Sequence, residues 1–192
     1  MGTVPMTLSG CGDGADSRAM DRRRLSRVAV VSALAGLMSL AFTLQPVAAL
    51  QLPGDPALAM LFSVEQAMLD LTNADRAANG VDPLEFDPET LAIARARAAS
   101  QLDTPSLTHY DANGELVFVH LLADAQIGYQ LAGENLARVN AEDASVTGRV
   151  EQALMTSPTH RKNILERTFT RVAIGSATDG QGQLTIAEVY RN

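Results

Sequence analysis

The chain has 192 residues, enough for one ordinary domain with a buried core. Its formal net charge is −7 at neutral pH, which argues against nucleic acid as a partner because phosphate binding requires a basic face. With a single cysteine the chain cannot form an intrachain disulfide, so the fold depends on its apolar core.

The first 49 residues have the features of an N-terminal extension followed by an export signal. Four arginines precede an apolar stretch from Val28 to Leu44, and Val47-Ala48-Ala49 supplies the small side chains that signal peptidase requires. We expect cleavage after Ala49, and the unusual length of the region before the apolar stretch suggests that translation starts at Met20. An uncleaved membrane anchor and a lipid-anchored Cys11, at the end of Leu8-Ser9-Gly10-Cys11, are the alternatives.

Removal of residues 1–49 would leave a more acidic domain without cysteine. The removed part contains five Arg and three Asp, so the rest of the chain carries a net charge of −9. We predict a short linker over residues 50–57 and one exported domain over residues 58–192. We expect a monomer that touches a membrane only through the signal segment, if that segment is not cleaved.

Helical spacing dominates the first half of this domain. The first predicted helix ends at Asn79-Gly80, since glycine suits the left-handed position past a helix end. The second begins with Asp87 as N-cap and Pro88 at the first helical position, and it is closed by Pro105. The apolar positions at three- or four-residue spacing are Leu61, Val64, Met68 and Leu71 in the first helix, and Leu91, Ala94, Ala98 and Leu102 in the second.

The pattern changes from helical to β toward the C-terminus. A third helix is predicted over residues 115–125, a loop or short strand over residues 128–140, and a fourth helix from about residue 142 to Ser157-Pro158, with Val146, Val150 and Leu154 on one face. Val172 and Ile174, then Leu184 and Ile186, alternate around a Gly- and Asp-rich turn at residues 178–182, which predicts a β-hairpin. The predicted fold class is α+β, with helices packed on a small antiparallel sheet.

Five short motifs follow one another in a characteristic order. They are Asn73-x-x-Arg76 with a turn and Pro83-Leu84 after it, Ser106-Leu107-Thr108-His109-Tyr110, Gly133-Glu134-Asn135-Leu136-Ala137, Ser157-Pro158-x-His160-Arg161-x-Asn163-Ile164-Leu165, and Val172-x-Ile174-Gly175. Together they resemble the signatures of the CAP superfamily (cysteine-rich secretory proteins, antigen 5 and pathogenesis-related 1 proteins) in its bacterial, disulfide-free SCP-like form. The resemblance covers about residues 60–190, and it implies an α-β-α sandwich, a bacterial source and a secreted or periplasmic location.

The resemblance also implies a functional cleft. His109, Glu134 and His160 would line it, and in some members of the superfamily the cleft holds a divalent cation. Two neutral imidazoles and one carboxylate would leave a coordination position open for water, and zinc suits such ligands best. The further candidates at the rim of the cleft or in its support are Tyr110, Asn135, Ser157, Arg161 and Asn163.

The chain departs from the family pattern in ways that affect mechanism. Leu154 stands where many members have tryptophan, and Ser157 stands where many eukaryotic members have a second cleft glutamate. Ser157 is a poor candidate nucleophile beside His160, because a serine followed by proline is first a helix-terminating signal. His120 is interpreted as a residue on a helix face and not as a ligand.

These observations favour an exported binding module. Its cleft would take a divalent cation or a small or extended ligand, such as a small molecule, a lipid, a peptide or an envelope component. The alternative is a metal-assisted hydrolase in which Glu134 acts as the base if it is not a ligand. A purely structural envelope protein is the third reading. Motifs of other enzyme classes, such as His-Glu-x-x-His and Gly-x-Ser-x-Gly, are absent from the sequence.

Overall fold

A computed structural model describes residues 7–11, 56–140, 145–179 and 181–192, with side chains from residue 62 onward. The helices in these ranges are α1 (Pro56–Ala78), α2 (Leu91–Ser100), α3 (Val117–Asp124), α4 (Val146–Thr156) and α5 (Pro158–Ile164). The strands are β1 (Thr7–Cys11), β2 (Glu85–Phe86), β3 (Ala132–Asn140), β4 (Arg171–Thr178) and β5 (Gln183–Arg191). The strands form one sheet in the order β1-β3-β5-β4-β2.

The first predicted helix is confirmed as α1, which begins two residues inside the predicted linker. It ends at Ala78, and Gly80 has a φ of 66°, as expected for a glycine just past a helix end. The turn that follows is held by Arg76, whose guanidinium is fully buried. This guanidinium donates hydrogen bonds to the backbone carbonyls of Asp82, Ile164, Glu166 and Phe169.

The predicted start of the second helix is wrong by several residues. The helix begins at Leu91 with Thr90 as the N-cap residue, and it ends at Ser100, well before Pro105. Asp87 instead stabilises the turn before the helix, because its carboxylate accepts hydrogen bonds from the Thr90 hydroxyl at 2.7 Å and from the Glu89 N–H at 3.2 Å. The same carboxylate is paired with Arg191 on β5, which draws Asp87 away from the helix end.

The C-terminal hairpin is confirmed. β4 and β5 pair antiparallel, with Val172 opposite Tyr190 and Thr178 opposite Leu184. β3, predicted as a loop or short strand, has nine residues and lies between β1 and β5. The two-residue strand β2 pairs parallel with β4, so the sheet is mixed. Two predicted features, residue 180 of the turn and the start of the fourth helix at residue 142, lie outside the described residues.

Apolar side chains cover both faces of the sheet. The face that packs against α1, α4 and α5 contributes Tyr190, Ile186, Leu184, Val172 and Ile174 to the largest core cluster. The opposite face packs against α2 and α3 through a second cluster that includes Ala132, Ala173 and Val189. This arrangement is an α-β-α sandwich, which confirms the predicted fold class. No helix in the described part of the chain is both long and apolar enough to span a bilayer.

β1 comes from the predicted N-terminal extension. It pairs antiparallel with the outer edge of β3, from Thr7 opposite Arg138 to Cys11 opposite Glu134, and it also contacts α5. The rest of the predicted extension and linker, residues 1–6 and 12–55, lies outside the described residues. Cleavage after Ala49 would remove β1 and leave the outer edge of β3 without its strand partner.

Candidate functional site

Glu134 lies at the centre of the candidate site, on the face of the sheet that packs against α2. Its carboxylate is fully buried and paired with Arg97, whose Nε is 2.7 Å from Oε1 and whose Nη2 is 3.1 Å from Oε2. Nδ1 of His109 is 2.7 Å from the same Oε2. Both carboxylate oxygens are therefore engaged by side chains of the protein itself.

His109 is held in one orientation by this contact. A carboxylate only accepts hydrogen bonds, so Nδ1 of the ring carries the proton and Nε2 of the neutral imidazole carries the lone pair. His109 is 3% exposed, and its Nε2 has no hydrogen-bond partner among the described residues. In the neutral form of the ring, Nε2 is thus an oriented acceptor that can accept a hydrogen bond or ligate a cation.

Arg97 is the functional residue that the sequence analysis missed. It is 2% exposed and lies on the buried face of α2 between Ala94 and Ala98. Its Nη2 also donates to the carbonyl oxygen of Thr108 at 2.7 Å, so one guanidinium joins α2, β3 and the loop that carries His109. A long charged side chain on a helix face with Ile93, Ala94 and Ala98 was the available signal.

The backbone of His160 contacts Asn135, the residue that follows Glu134 on β3. Successive side chains of a strand point to opposite faces, so Glu134 faces α2 whereas Asn135 faces α5. Nδ2 of Asn135 donates to the carbonyl oxygen of His160 at 3.3 Å, and Nδ1 of His160 is 2.7 Å from Oγ of Ser157. Ser157 is the N-cap residue of α5. The structure thus connects His160 to Glu134 through the backbone of β3.

Asn163 also contacts β3, and its position explains why residue 133 is a glycine. Its Nδ2 donates to the carbonyl oxygen of Glu134 at 3.2 Å and to Oδ1 of Asn135 at 2.9 Å. A Cβ at Gly133 would be 3.2 Å from Oδ1 of Asn163 and 3.1 Å from the Phe169 ring. A side chain at position 133 would therefore crowd Asn163 and the carbonyl to which it donates.

The candidates Tyr110 and Arg161, and the helix residue His120, are exposed to solvent. Tyr110 is 46% exposed, and its ring is perpendicular to that of His109 with 6.4 Å between the centroids. Arg161 donates to Oδ1 of Asn79 at 2.9 Å on the surface. His120 is an exposed residue of α3, and its Nε2 is 3.4 Å from a carboxylate oxygen of Glu115.

The side chains of the candidate site supply few ligands for a cation. The described residues contain no group of three or more His, Cys, Asp or Glu side chains that could hold a metal ion. Glu134 is fully buried and both of its oxygens already accept hydrogen bonds from Arg97 or His109, which disfavours it as a third ligand. His109 and His160 are the predicted ligands that remain.

The fold agrees with what comparisons with known proteins show. Residues 69–190 match the model of the cysteine-rich secretory protein family, known as CAP. The chain is 32% identical over 116 residues to the protein YkwD of Bacillus subtilis, which covers 60% of this chain and 43% of YkwD. It is 27% identical over 112 residues to the membrane protein YlbC of the same organism, covering 58% of this chain and 31% of YlbC. The chain thus spans less than half the length of these relatives.

Solved structures with the same fold come from other bacteria. An extracellular protein of Bacillus anthracis that contains an SCP domain matches with a TM-score of 0.60 and 25% identity, over 73% of this chain and 44% of that chain. An outer surface protein of Borrelia burgdorferi matches with a TM-score of 0.56 and 15% identity, over 68% of this chain and 92% of that one. The family model covers well over half of the chain, in the region that contains the site, and the chain therefore belongs to the cysteine-rich secretory protein (CAP) family.

Proposed function

We propose that the chain is an exported binding module that takes an extended, peptide-like ligand along the outer edge of β3. The family membership and the neighbours described as extracellular or outer-surface proteins support an extracytoplasmic location. The N-terminal signal pattern supports the same location. The ligand would lie between the loop that carries His109 and helix α5.

The antiparallel pairing of β1 with β3 carries this proposal. Five consecutive residues of an extended segment are seated on the outer edge of β3, beside Glu134 and against α5. Once an export peptidase removes residues 1–49, the backbone N–H and C=O groups of this edge need a new partner. A peptide backbone satisfies such an edge by strand addition, with affinity from main-chain hydrogen bonds.

The test uses the exported chain after its mass has shown where it is cleaved. The probe is a synthetic peptide with the sequence of residues 5–13 and serine in place of Cys11, and binding is measured by isothermal titration calorimetry. We expect binding to the processed chain. The control is the same peptide with N-methyl groups on alternate backbone nitrogens, which removes donors and should abolish binding. Equal binding of both peptides, or binding of neither, would contradict the proposal.

A divalent cation is the second candidate occupant. The contact between Glu134 and Nδ1 of His109 favours it, because a carboxylate commonly orients a metal-binding histidine in this way. His109 and His160 would supply nitrogen ligands, and Glu134 would orient His109 without ligating. Zinc is expected to raise the melting temperature of the wild type and of the His120→Gln control but not of His109→Gln. If zinc leaves the melting temperature of the wild type unchanged, the proposal of a bound cation is ruled out.

The hydrolase alternative has weaker support. It needs a carboxylate that is available as a base, whereas the carboxylate of Glu134 is paired with Arg97 through two hydrogen bonds. The contact between Ser157 and His160 lies at the N-terminus of α5 and is local in sequence. A hydrolase would show metal-dependent cleavage of a peptide or ester, and that activity would be lost in Glu134→Gln.

A further inference from the structure

A second buried polar cluster lies on the face of the sheet that packs against α1 and α4. Two of its members are the carboxyl groups of Glu151 on α4 and Glu188 on β5, which are 2% and 1% exposed. No lysine or arginine forms a salt bridge with either of them among the described residues. Two neighbouring carboxylates without a cation would be costly in an apolar core, so another charge-compensating group is needed.

The hydrogen bonds of the cluster require an additional proton. Oγ1 of Thr72 lies 3.3 Å from Oε2 of Glu151 and 3.4 Å from Oε1 of Glu188. A hydroxyl has one proton, so Thr72 can donate to only one of these carboxylates. The second contact becomes a hydrogen bond only if the other carboxyl group carries a proton of its own.

The donors around each group show which one is protonated. Oε2 of Glu188 accepts a hydrogen bond from Nδ2 of Asn135 at 3.0 Å and another from the Tyr190 hydroxyl, as an ionised carboxylate does. Oε1 of Glu151 is buried and has no hydrogen-bond partner in the described structure. A proton on Glu151 removes the negative charge that this carboxyl group would otherwise bury without a donor at Oε1.

The surrounding charges also favour a proton on Glu151. Burial, the charge of Glu188 and the charge of Asp75 raise the pKa of Glu151 to about 9. Burial also raises the pKa of Glu188 and of Tyr190. The cation on the adjacent helix, Arg76, directs its guanidinium to four backbone carbonyls and not to the cluster.

The other elements packed against α4 do not supply a compensating charge. From β3 the cluster receives the neutral amide of Asn135. On α5, Nδ1 of His160 is 2.7 Å from Oγ of Ser157. Arg161 and Lys162 of the same helix are exposed to solvent.

We propose that the cluster of Thr72, Glu151 and Glu188 binds one proton at neutral pH, held on Glu151, and that this proton makes the folded domain sensitive to alkaline pH. A proton on Oε2 of Glu151 lets Glu151 donate to the Thr72 hydroxyl while Thr72 donates to Oε1 of Glu188. This inference does not depend on what the cleft binds.

The cluster is also connected to the candidate site. Asn135 donates both to Glu188 and to the carbonyl oxygen of His160, and its Oδ1 accepts from Asn163. Loss of the proton would place a second negative charge next to Glu188, the group on which Asn135 depends. The proton on Glu151 therefore stabilises the core and also the hydrogen bonds between β3 and α5 at the candidate site.

The sign of the pH dependence follows from the direction of the pKa shift. The folded-state pKa of Glu151 lies above its unfolded value, so its contribution to stability is complete below the unfolded pKa of about 4.3. The contribution declines as pH rises and is lost once pH passes the folded pKa. Between the unfolded and the folded pKa of Glu151, the folding equilibrium constant should fall up to about tenfold per pH unit.

Urea unfolding of the full chain between about pH 5 and pH 9 tests the proposal. The wild type should lose stability as pH rises, and Glu151→Gln, which keeps the shape of the side chain and carries no titrating proton, should show a much flatter profile. The matched control is Glu85→Gln on the exposed strand β2, which should retain the wild-type slope. An unchanged slope in Glu151→Gln, or a flat wild-type profile, would overturn the proposal.

A second measurement covers the case in which Glu151→Gln does not fold. Infrared spectroscopy of the wild-type chain should show the carbonyl band of a neutral carboxylic acid at pH 7, where an ordinary glutamate is ionised. The band should disappear as pH is raised past the folded pKa. A wild-type spectrum without this band at pH 7 would overturn the proposal independently of any variant.

Discussion

The ion pair of Arg97 and Glu134 determines what the site can do chemically. Their side chains are 3% and 0% exposed, so neither charge is compensated by solvent. Removing two charges from water has a large desolvation cost, and two parallel hydrogen bonds plus the contact with His109 offset it here. Because both of its oxygens are already hydrogen-bonded within the protein, Glu134 is suited to position His109.

Arg97→Ala should lower the free energy of unfolding by about 3–5 kcal/mol, because it leaves the Glu134 charge buried without its cation. Chemical denaturation measures this loss. The control is the double variant Arg97→Leu with Glu134→Leu, which replaces both charges by apolar groups and should be less destabilised than the single variant. A loss below about 1 kcal/mol in Arg97→Ala would mean that the pair behaves as a solvated surface salt bridge.

At the scale of elements, the contact between α2 and β4 places Arg97. The helix lies so close to the strand that a Cβ at Gly175 would be 2.2 Å from both the backbone carbon of Ala94 and the backbone nitrogen of Arg95. Glycine at position 175 is therefore required by the close approach of two backbones. This approach brings the guanidinium of Arg97 within reach of β3.

Gly175→Ala should push α2 away from the sheet and reduce stability by about 3 kcal/mol, since neither backbone can yield locally. The melting temperature and the denaturation midpoint report the change. Gly148→Ala is the matched control, because a Cβ at that position of α4 meets nothing within 4 Å. That control should be neutral or should stabilise by up to about 1 kcal/mol, through the better helix propensity of alanine. Equal effects in the two variants would contradict the account of α2 packing.

At the scale of the whole molecule, Asp87 joins the start of the helical layer to the C-terminal strand. Its carboxylate is fully buried and accepts hydrogen bonds from Arg191 on β5 and from Thr90. Burial acts to raise the pKa of Asp87, but the hydrogen bonds from Arg191 and Thr90 outweigh it and hold the pKa below its ordinary value. This contribution to stability is present above the unfolded pKa of about 3.9, and it is lost as pH falls through the lower folded value.

Asp87→Asn should reduce the amount of stability that the protein loses at acid pH. Thermal unfolding between about pH 6 and pH 2 should show a smaller loss for this variant than for the wild type, although the variant starts from a lower stability at pH 6. Asp124→Asn, at an exposed position on α3, should leave the acid limb unchanged. A variant profile parallel to that of the wild type would show that another carboxylate controls acid unfolding.

Local patterns in the sequence predicted much of this architecture. Apolar spacing predicted α1, α3 and α4, alternation predicted the hairpin of β4 and β5, and the order of five motifs predicted the family. These features could be predicted because apolar residues recur every two positions in a strand and every three to four positions in a helix. Both patterns involve only residues a few positions apart in the sequence. The motif around Glu134 was readable too, whereas its strand, β3, was underestimated because Gly, Glu and Asn are all unfavourable in strands.

Only the tertiary structure decided which side chains meet. Arg97 and Glu134 are 37 residues apart in the chain, and Thr72 and Glu188 are 116 apart, so no local pattern encodes these contacts. The strand β3 sends Glu134 and Asn135 to opposite faces, and packing of α2 on one face and of α4 and α5 on the other determines their partners. Motifs in the sequence alone pointed to His109, Glu134 and His160, and packing across the sheet decided that Glu134 contacts His109 and that Glu151 and Glu188 share one buried site.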